Sequence, residues 1–195
     1  MEHPHLNAVK NVLQELEQQN ISYCVLRNYD FLLEGREPSQ ASERSVDLCV
    51  SQQDFARFDA LMSGLGYQKR KQQFSHKHIA YFRLEQLQPV SFDTQVGGVH
   101  WNDMVYLEQH DILSHRVKKG FLYVPSDNDT IVMLLLHSIL GKRRFKPEYQ
   151  QKIASLWKDA DKNDVNKKGV DRKDIDKEYV REKLSKALSP GAAKE

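Results

Sequence analysis

The chain has 195 residues, 29 Lys and Arg against 27 Asp and Glu, a formal net charge of +2 and a hydrophobic fraction of 39%. These values exclude a disordered chain and suit one well-buried core with an appendage rather than two full domains. No apolar run approaches the roughly 20 residues of a membrane span, and the opening Met1-Glu2-His3-Pro4-His5 has no signal-peptide pattern. Cys24 and Cys49 both fall in apolar runs, where cysteine serves as a small buried hydrophobe, so a reducing, cytoplasmic setting is expected. The charge is unevenly spread: residues 142–195 hold sixteen Lys and Arg against ten Asp and Glu. That surplus fits a solvated helical face or an anionic partner such as nucleic acid.

Leu6, Val9, Val12, Leu13 and Leu16 recur at helical spacing and predict an amphipathic helix over 5–19. A strand follows over 21–27. Residues 28–43, with Gly35, Pro38 and several Ser and Gln, read as a long loop or irregular insertion. The next strand covers 44–50. Ser51 and Asp54 form a capping box for a helix whose stripe is Phe55, Phe58, Leu61, Met62 and Leu65, ended by Gly66. A polar, basic stretch over 68–77 leads to a predicted hairpin of strands 78–85 and 89–95, with Pro89 at a strand start, where it is tolerated.

Gly97-Gly98 breaks that run. Residues 107–117 read as a helix and 121–124 as a short strand. Ser126 and Asp129 make a second capping box for a nearly all-apolar, and therefore central, helix closed by Gly141. A helix from Pro147 to about residue 160 buries Tyr149, Ile153, Leu156 and Trp157. A linker is expected over 161–173 and a last amphipathic helix over 174–188, with fraying beyond. The boundary drawn from this pattern separates residues 1–157 from a C-terminal part, 158–195.

Two strands carry one acid each on the side opposite their apolar residues. In Arg44-Ser45-Val46-Asp47-Leu48-Cys49-Val50, alternation puts Val46, Leu48 and Val50 on one face and Ser45, Asp47 and Cys49 on the other. In Pro89-Val90-Ser91-Phe92-Asp93, Val90 and Phe92 oppose Ser91 and Asp93. If these strands are neighbours, Asp47 and Asp93 converge, and a divalent cation is the simplest way to hold two carboxylates together. The competing reading is two solvated strand-end aspartates.

The order helix, strand, acid-bearing strand, helix, then a hairpin strand with a further acid resembles the minimal nucleotidyltransferase fold, the polymerase-beta-like superfamily. More narrowly, Leu26-Arg27-Asn28, Ser45-Val46-Asp47-Leu48-Cys49-Val50, Phe92-Asp93, Trp101, Val124-Pro125-Ser126 and Leu136-His137-Ser138 resemble a poorly characterised bacterial and archaeal branch of it. The resemblance covers roughly residues 5–157. It implies an α/β (α+β) fold with a small mixed sheet, packed helices and a helical C-terminal part. It also implies three carboxylates on Mg²⁺ (or Mn²⁺), a nucleoside triphosphate, and transfer of a nucleoside monophosphate to a hydroxyl-bearing acceptor.

Where that pattern has its first aspartate, this chain has Ser45, leaving Asp47 and Asp93 as expected catalytic residues and metal ligands. Glu43, on the same strand face, is the candidate third ligand. Arg27 and Asn28 replace the superfamily's glycine-serine pair, and with Ser45, Lys142 and Arg143 they are the candidate nucleotide contacts. The alternative is a catalytically inactive module of the same fold that binds a nucleotide or protein.

Lys142-Arg143-Arg144-Phe145-Lys146 follows the central helix, where cations favour the helix dipole or, functionally, a phosphate with Phe145 as a stacking face. His137 reads as a core histidine. The histidines show no zinc spacing, the acids from Asp159 onward lack the glycine and glutamate of a calcium loop, and there is no dinucleotide fingerprint or serine-nucleophile signature.

Overall fold

The computed structural model describes residues 3–39, 43–70, 77–101, 104–162 and 175–189. Helix α1 (Pro4–Gln18) begins at Pro4, whose fixed φ suits the first turn, and buries Leu6, Val9, Val12, Leu13 and Leu16 along one stripe. Strand β1 (Tyr23–Val25), the four-residue helix α2 (Asp30–Leu33), strand β2 (Ser45–Val50) and helix α3 (Phe55–Gly64) follow. Then come β3 (Gln68–Arg70), β4 (His78–Glu85) and β5 (Gln88–Val96).

These five strands form one sheet in the order β1-β2-β5-β4-β3. Only the β2–β5 pair is parallel; the other pairs are antiparallel. Gln86 and Leu87, both at positive φ, make the two-residue turn between β4 and β5.

The chain continues through β6 (Gly98–Trp101), β7 (Met104–Glu108), α4 (Gln109–Ser114), β8 (Val117–Lys119), β9 (Leu122–Val124) and α5 (Asp127–Leu136). A π-helical turn, His137–Lys142, extends α5 and is followed by α6 (Pro147–Lys162) and α7 (Lys177–Leu188). Ser126 caps α5, its hydroxyl accepting from the Asp129 amide at 3.1 Å.

Both faces of the sheet are covered. Val46, Leu48, Val50, Val90 and Phe92 pack with α1 and α3 in one core. Cys24, Leu26 and Cys49 face a second core built from α5 and from residues of β6, β7, α6 and α7. Helix α7 is locked to α5 by Tyr179, whose hydroxyl donates to the fully buried Asp129 at 2.5 Å, and Lys183 pairs with Asp111 at 2.5 Å.

Several expectations need correction. On the acid-bearing faces of β2 and β5, for which two solvated strand-end aspartates were the competing reading, Asp47 is buried and Asp93 half-buried, and Cys49 and Gln95 beyond them are buried. Leu107 lies on β7 rather than in a helix, since pairing with β6 delays α4 to Gln109. The expected insertion over 28–43 holds α2, which buries Phe31 and Leu32 in the first core. The polar stretch after α3 begins as the edge strand β3, exposed throughout; residues 71–76 lie outside the described residues. Gly141 does not end the central helix but sits within the π-helical turn, which closes at Arg143 in the left-handed conformation. Of the expected 161–173 linker, residues 161 and 162 end α6 and the rest, like the tail past 189, lies outside the described residues.

Candidate active site

The parallel register of β2 and β5 makes Asp47 and Asp93 direct Cα partners, with strand spacing of about 4.8 Å. Each has an apolar strand neighbour buried in the first core, Val46 and Phe92. Alternation therefore presents both carboxyl groups to the other side of the sheet. The site is set by strand register rather than by a loop. Asp47 is buried and Asp93 half-buried.

Arg27 reaches Asp47 because the antiparallel pairing of β1 continues past its end, with the Leu26 amide donating to the Asp47 carbonyl at 2.8 Å. Asn28, at φ 56, then turns the chain away, a conformation asparagine adopts more readily than most residues. The Arg27 Nε donates to Asp47 Oδ2 at 2.7 Å. Side-chain exposures of 13% and 11% make this a nearly dry ion pair. Burial disfavours the guanidinium charge, but the Asp47 carboxylate outweighs it and holds the Arg27 pKa above its ordinary value. Among the described residues the second Asp47 oxygen takes no hydrogen bond.

Around this pair lies an aromatic and basic shell. Burial, opposed by Arg27 and helped by Asp47, pushes the Tyr106 phenol up to about 12. His137, edge-on to Tyr149 with ring centroids 6.0 Å apart, has its pKa lowered to about 3. Burial is the main cause, followed by the charges of Arg27, Lys142 and Lys146, so the imidazole is neutral at physiological pH. A cavity of about 80 Å³ beside Arg27 is lined by Asn28, Tyr29, Met133, Tyr149 and Lys152 among others.

The remaining sequence-derived candidates divide. Ser45 is half-buried at the start of β2, level with Ser91 of β5. Glu43 is turned into a separate network: its carboxylate accepts from Arg36 Nη1 at 2.9 Å and Nη2 at 2.7 Å, and from the Ser39 amide at 2.7 Å. Lys142 and Arg143 are exposed at the end of the π-helical turn.

Sequence reasoning did not single out His78, whose Nε2 lies 2.6 Å from Asp93 Oδ1. Its position follows from the two-residue turn at Gln86 and Leu87, one residue shorter than the link drawn from the sequence. With Glu85 opposite Gln88, Ala80 falls opposite Asp93 and His78 two residues further along the same face. Tyr106 and Tyr149 carried no comparable signal.

Among the described residues, no group of three or more His, Cys, Asp or Glu is arranged to hold a metal ion. The donor set at Asp47 and Asp93 is two carboxylates, Asp47 paired with Arg27 and Asp93 lying 2.6 Å from His78. That suits a single Mg²⁺ whose other ligands are substrate phosphates and water, and falls short of a pair of cations.

No family model matches the chain, and no curated protein matches its sequence. Solved structures do resemble it. The antibiotic-resistance factor ANT(2'')-Ia in solution superposes with a TM-score of 0.53 at 10% identity, covering 99% of this chain and 96% of that one. The crystal structure of ANT(2'')-Ia in complex with adenylyl-2''-tobramycin gives 0.52 at 12% identity, covering 82% and 92%. The lincomycin-bound lincosamide antibiotic adenylyltransferase LnuA gives 0.51 at 13%, covering 76% and 93%. Identities this low speak to the fold alone, and the fold is that of the nucleotidyltransferases. Among the described residues no helix is long and apolar enough to cross a membrane.

Proposed function

We propose that this chain, with its nucleotidyltransferase fold, binds a nucleoside triphosphate with one Mg²⁺ and transfers the nucleoside monophosphate to a hydroxyl-bearing acceptor. The observation that carries this reading is the register pairing of Asp47 with Asp93 on adjacent parallel strands. The adenylylated tobramycin and the lincosamide adenylyltransferase among its fold neighbours support the same reaction class.

In this reading Asp47 and Asp93 hold the cation. Once bound, Mg²⁺ would offset charge on the triphosphate. Arg27 fixes the rotamer of Asp47 by engaging Oδ2, which leaves the other oxygen for the ligand side. Neutral His137 and the Tyr106 and Tyr149 rings exclude water behind Arg27, strengthening the electrostatics of the site. The acceptor oxygen bonds to the α-phosphorus as the bond from that phosphorus to the bridging oxygen breaks. Pyrophosphate leaves with the electron pair, and the hydroxyl proton goes to solvent.

A second reading, a catalytically silent module, is favoured by Ser45 standing in for an acid and by the Arg27 charge already on Asp47. Mg²⁺-dependent pyrophosphate release, measured over a panel of triphosphates and hydroxyl acceptors, separates the two. Transfer predicts release that Asp47→Asn and Asp93→Asn each abolish. A silent module shows no release and no thermal stabilisation by Mg²⁺ with nucleotide.

A further inference from the structure

We propose that the π-helical turn and the segment after it form a binding surface for single-stranded nucleic acid, which presents its terminal hydroxyl to the Asp47–Asp93 pair as the acceptor. The acceptor assignment rests on the nucleotidyltransferase reading; the binding surface stands without it.

Three large hydrophobic side chains are exposed here, Trp101 at 37%, Phe145 at 39% and Ile139 at 48%. Lys142, Arg143 and Arg144 lie between the last two in sequence, are exposed, and have no ion pair among the described residues. Lys146 extends the row, pairing with Glu148 at 3.3 Å and lying over the Tyr149 ring at 5.4 Å.

Local backbone gathers these groups. The Arg144 amide donates to the Ser138 carbonyl at 3.1 Å, folding the segment back on the turn. Gly141 lets the end of β6 close in: a Cβ there would sit 3.4 Å from the Trp101 ring and 3.3 Å from His137 Nδ1. A π-helical turn is itself a departure from regular helix that commonly marks a functional site.

The surface adjoins the Arg27 side of the acidic pair: Lys146 lies over the Tyr149 ring, and Tyr149 lines the same cavity as Arg27, the partner of Asp47. Exposed cations beside exposed aromatic rings match a ligand that carries a phosphate row and stackable bases. A free triphosphate would satisfy the cations without needing an open aromatic face, and an acidic peptide would leave that face unused.

The test uses a Trp157→Phe variant of the full chain, which leaves Trp101 as the single tryptophan of the two present, titrated with a ten-nucleotide oligouridine lacking Mg²⁺ and triphosphate. We expect quenching of Trp101, with affinity falling as salt rises at a logarithmic slope of about −2 to −3, for three or four phosphates neutralised. Changing Lys142, Arg143 and Arg144 together to Gln should weaken binding at least about tenfold and flatten the slope by about 2. Trp101→Ala, read by anisotropy of labelled RNA, should weaken it about tenfold with the slope unchanged.

The surface is overturned if the oligonucleotide does not bind, if the triple variant binds it as tightly, or if polyglutamate of equal charge competes as well as RNA does. Asp47→Asn should keep RNA binding and lose transfer. RNA that binds on the surface and is never nucleotidylated, while another hydroxyl acceptor is, overturns the acceptor assignment alone. Absence of transfer to every acceptor counts instead against the nucleotidyltransferase reading.

Discussion

Replacing Arg27 by Met strips the Asp47 carboxylate of its partner in a site where both side chains are nearly buried. Two unit charges about 4 Å apart attract by about 4 kcal/mol at an effective dielectric of about 20. Water entering the vacated space returns part of that, and removing one member of a buried pair costs about 3–5 kcal/mol. For a chain of this length, a loss of about 3 kcal/mol lowers Tm by about 10 °C. The double variant Arg27→Met with Asp47→Leu should recover most of the loss, because an apolar pair carries no desolvated charge. Mg²⁺ should raise the Tm of the Arg27→Met protein more than that of the wild type, since a cation can then take the place the guanidinium held. Urea unfolding of these three proteins and of Asp47→Leu alone, with and without Mg²⁺, gives the cycle. A single-variant loss below about 1 kcal/mol would refute the reasoning, as would a double variant no more stable than the single one.

Further predictions concern the frame around the site. Tyr179→Phe removes the hydroxyl that donates to fully buried Asp129 at 2.5 Å, and should cost about 1.5–3 kcal/mol in urea unfolding while loosening α7 in hydrogen exchange. His137 is neutral in the folded state down to about pH 3, against an ordinary value of 6.5. Its folded pKa is thus lowered, the unfolded state binds more protons below pH 6.5, and stability should fall by about 1.4 kcal/mol per pH unit from there towards pH 3. His137→Phe should flatten that slope between pH 6 and about 4, as read by unfolding at fixed temperature; an unchanged slope would place the titration elsewhere. Gly98→Ala would set a Cβ 2.6 Å from the Leu107 carbonyl at a φ of 139. It should cost at least about 2 kcal/mol and separate β6 from β7, seen as lost amide protection at Gly98 and Glu108.

Much of the sheet was legible because its signals are local. Alternation in 44–50 and 89–95 identifies the strands and the faces of Asp47 and Asp93, while the link drawn over 86–88 is one residue longer than the turn observed, so the hairpin register came from the structure. The parallel pairing of β2 with β5, left as a condition by the sequence, is settled by the sheet order. What stayed hidden depends on tertiary partners. Leu107 pairs with Val99, eight residues upstream on β6, so an apolar Leu107 read without that partner fitted the start of a helix equally well. Glu43 has the right parity for the acidic face, yet bidentate Arg36 turns its carboxylate elsewhere. Arg27 read from its sequence position either as a phosphate fork or as the partner of a surface carboxylate; that its Nε meets Asp47 depends on β1 lying beside β2. The second core was invisible in strand alternation because it is closed by elements that come later in the chain, β6, β7 and helices α4 to α7.

The most direct measurement is the electron paramagnetic resonance of Mn²⁺ added with a non-hydrolysable triphosphate analogue to the wild type, Asp47→Asn and Asp93→Asn. Side-by-side carboxylates acting as one cation site predict a single bound Mn²⁺ in the wild type that each substitution releases. Binding that survives both substitutions, or a wild type that leaves Mn²⁺ free in the presence of the nucleotide, would contradict it.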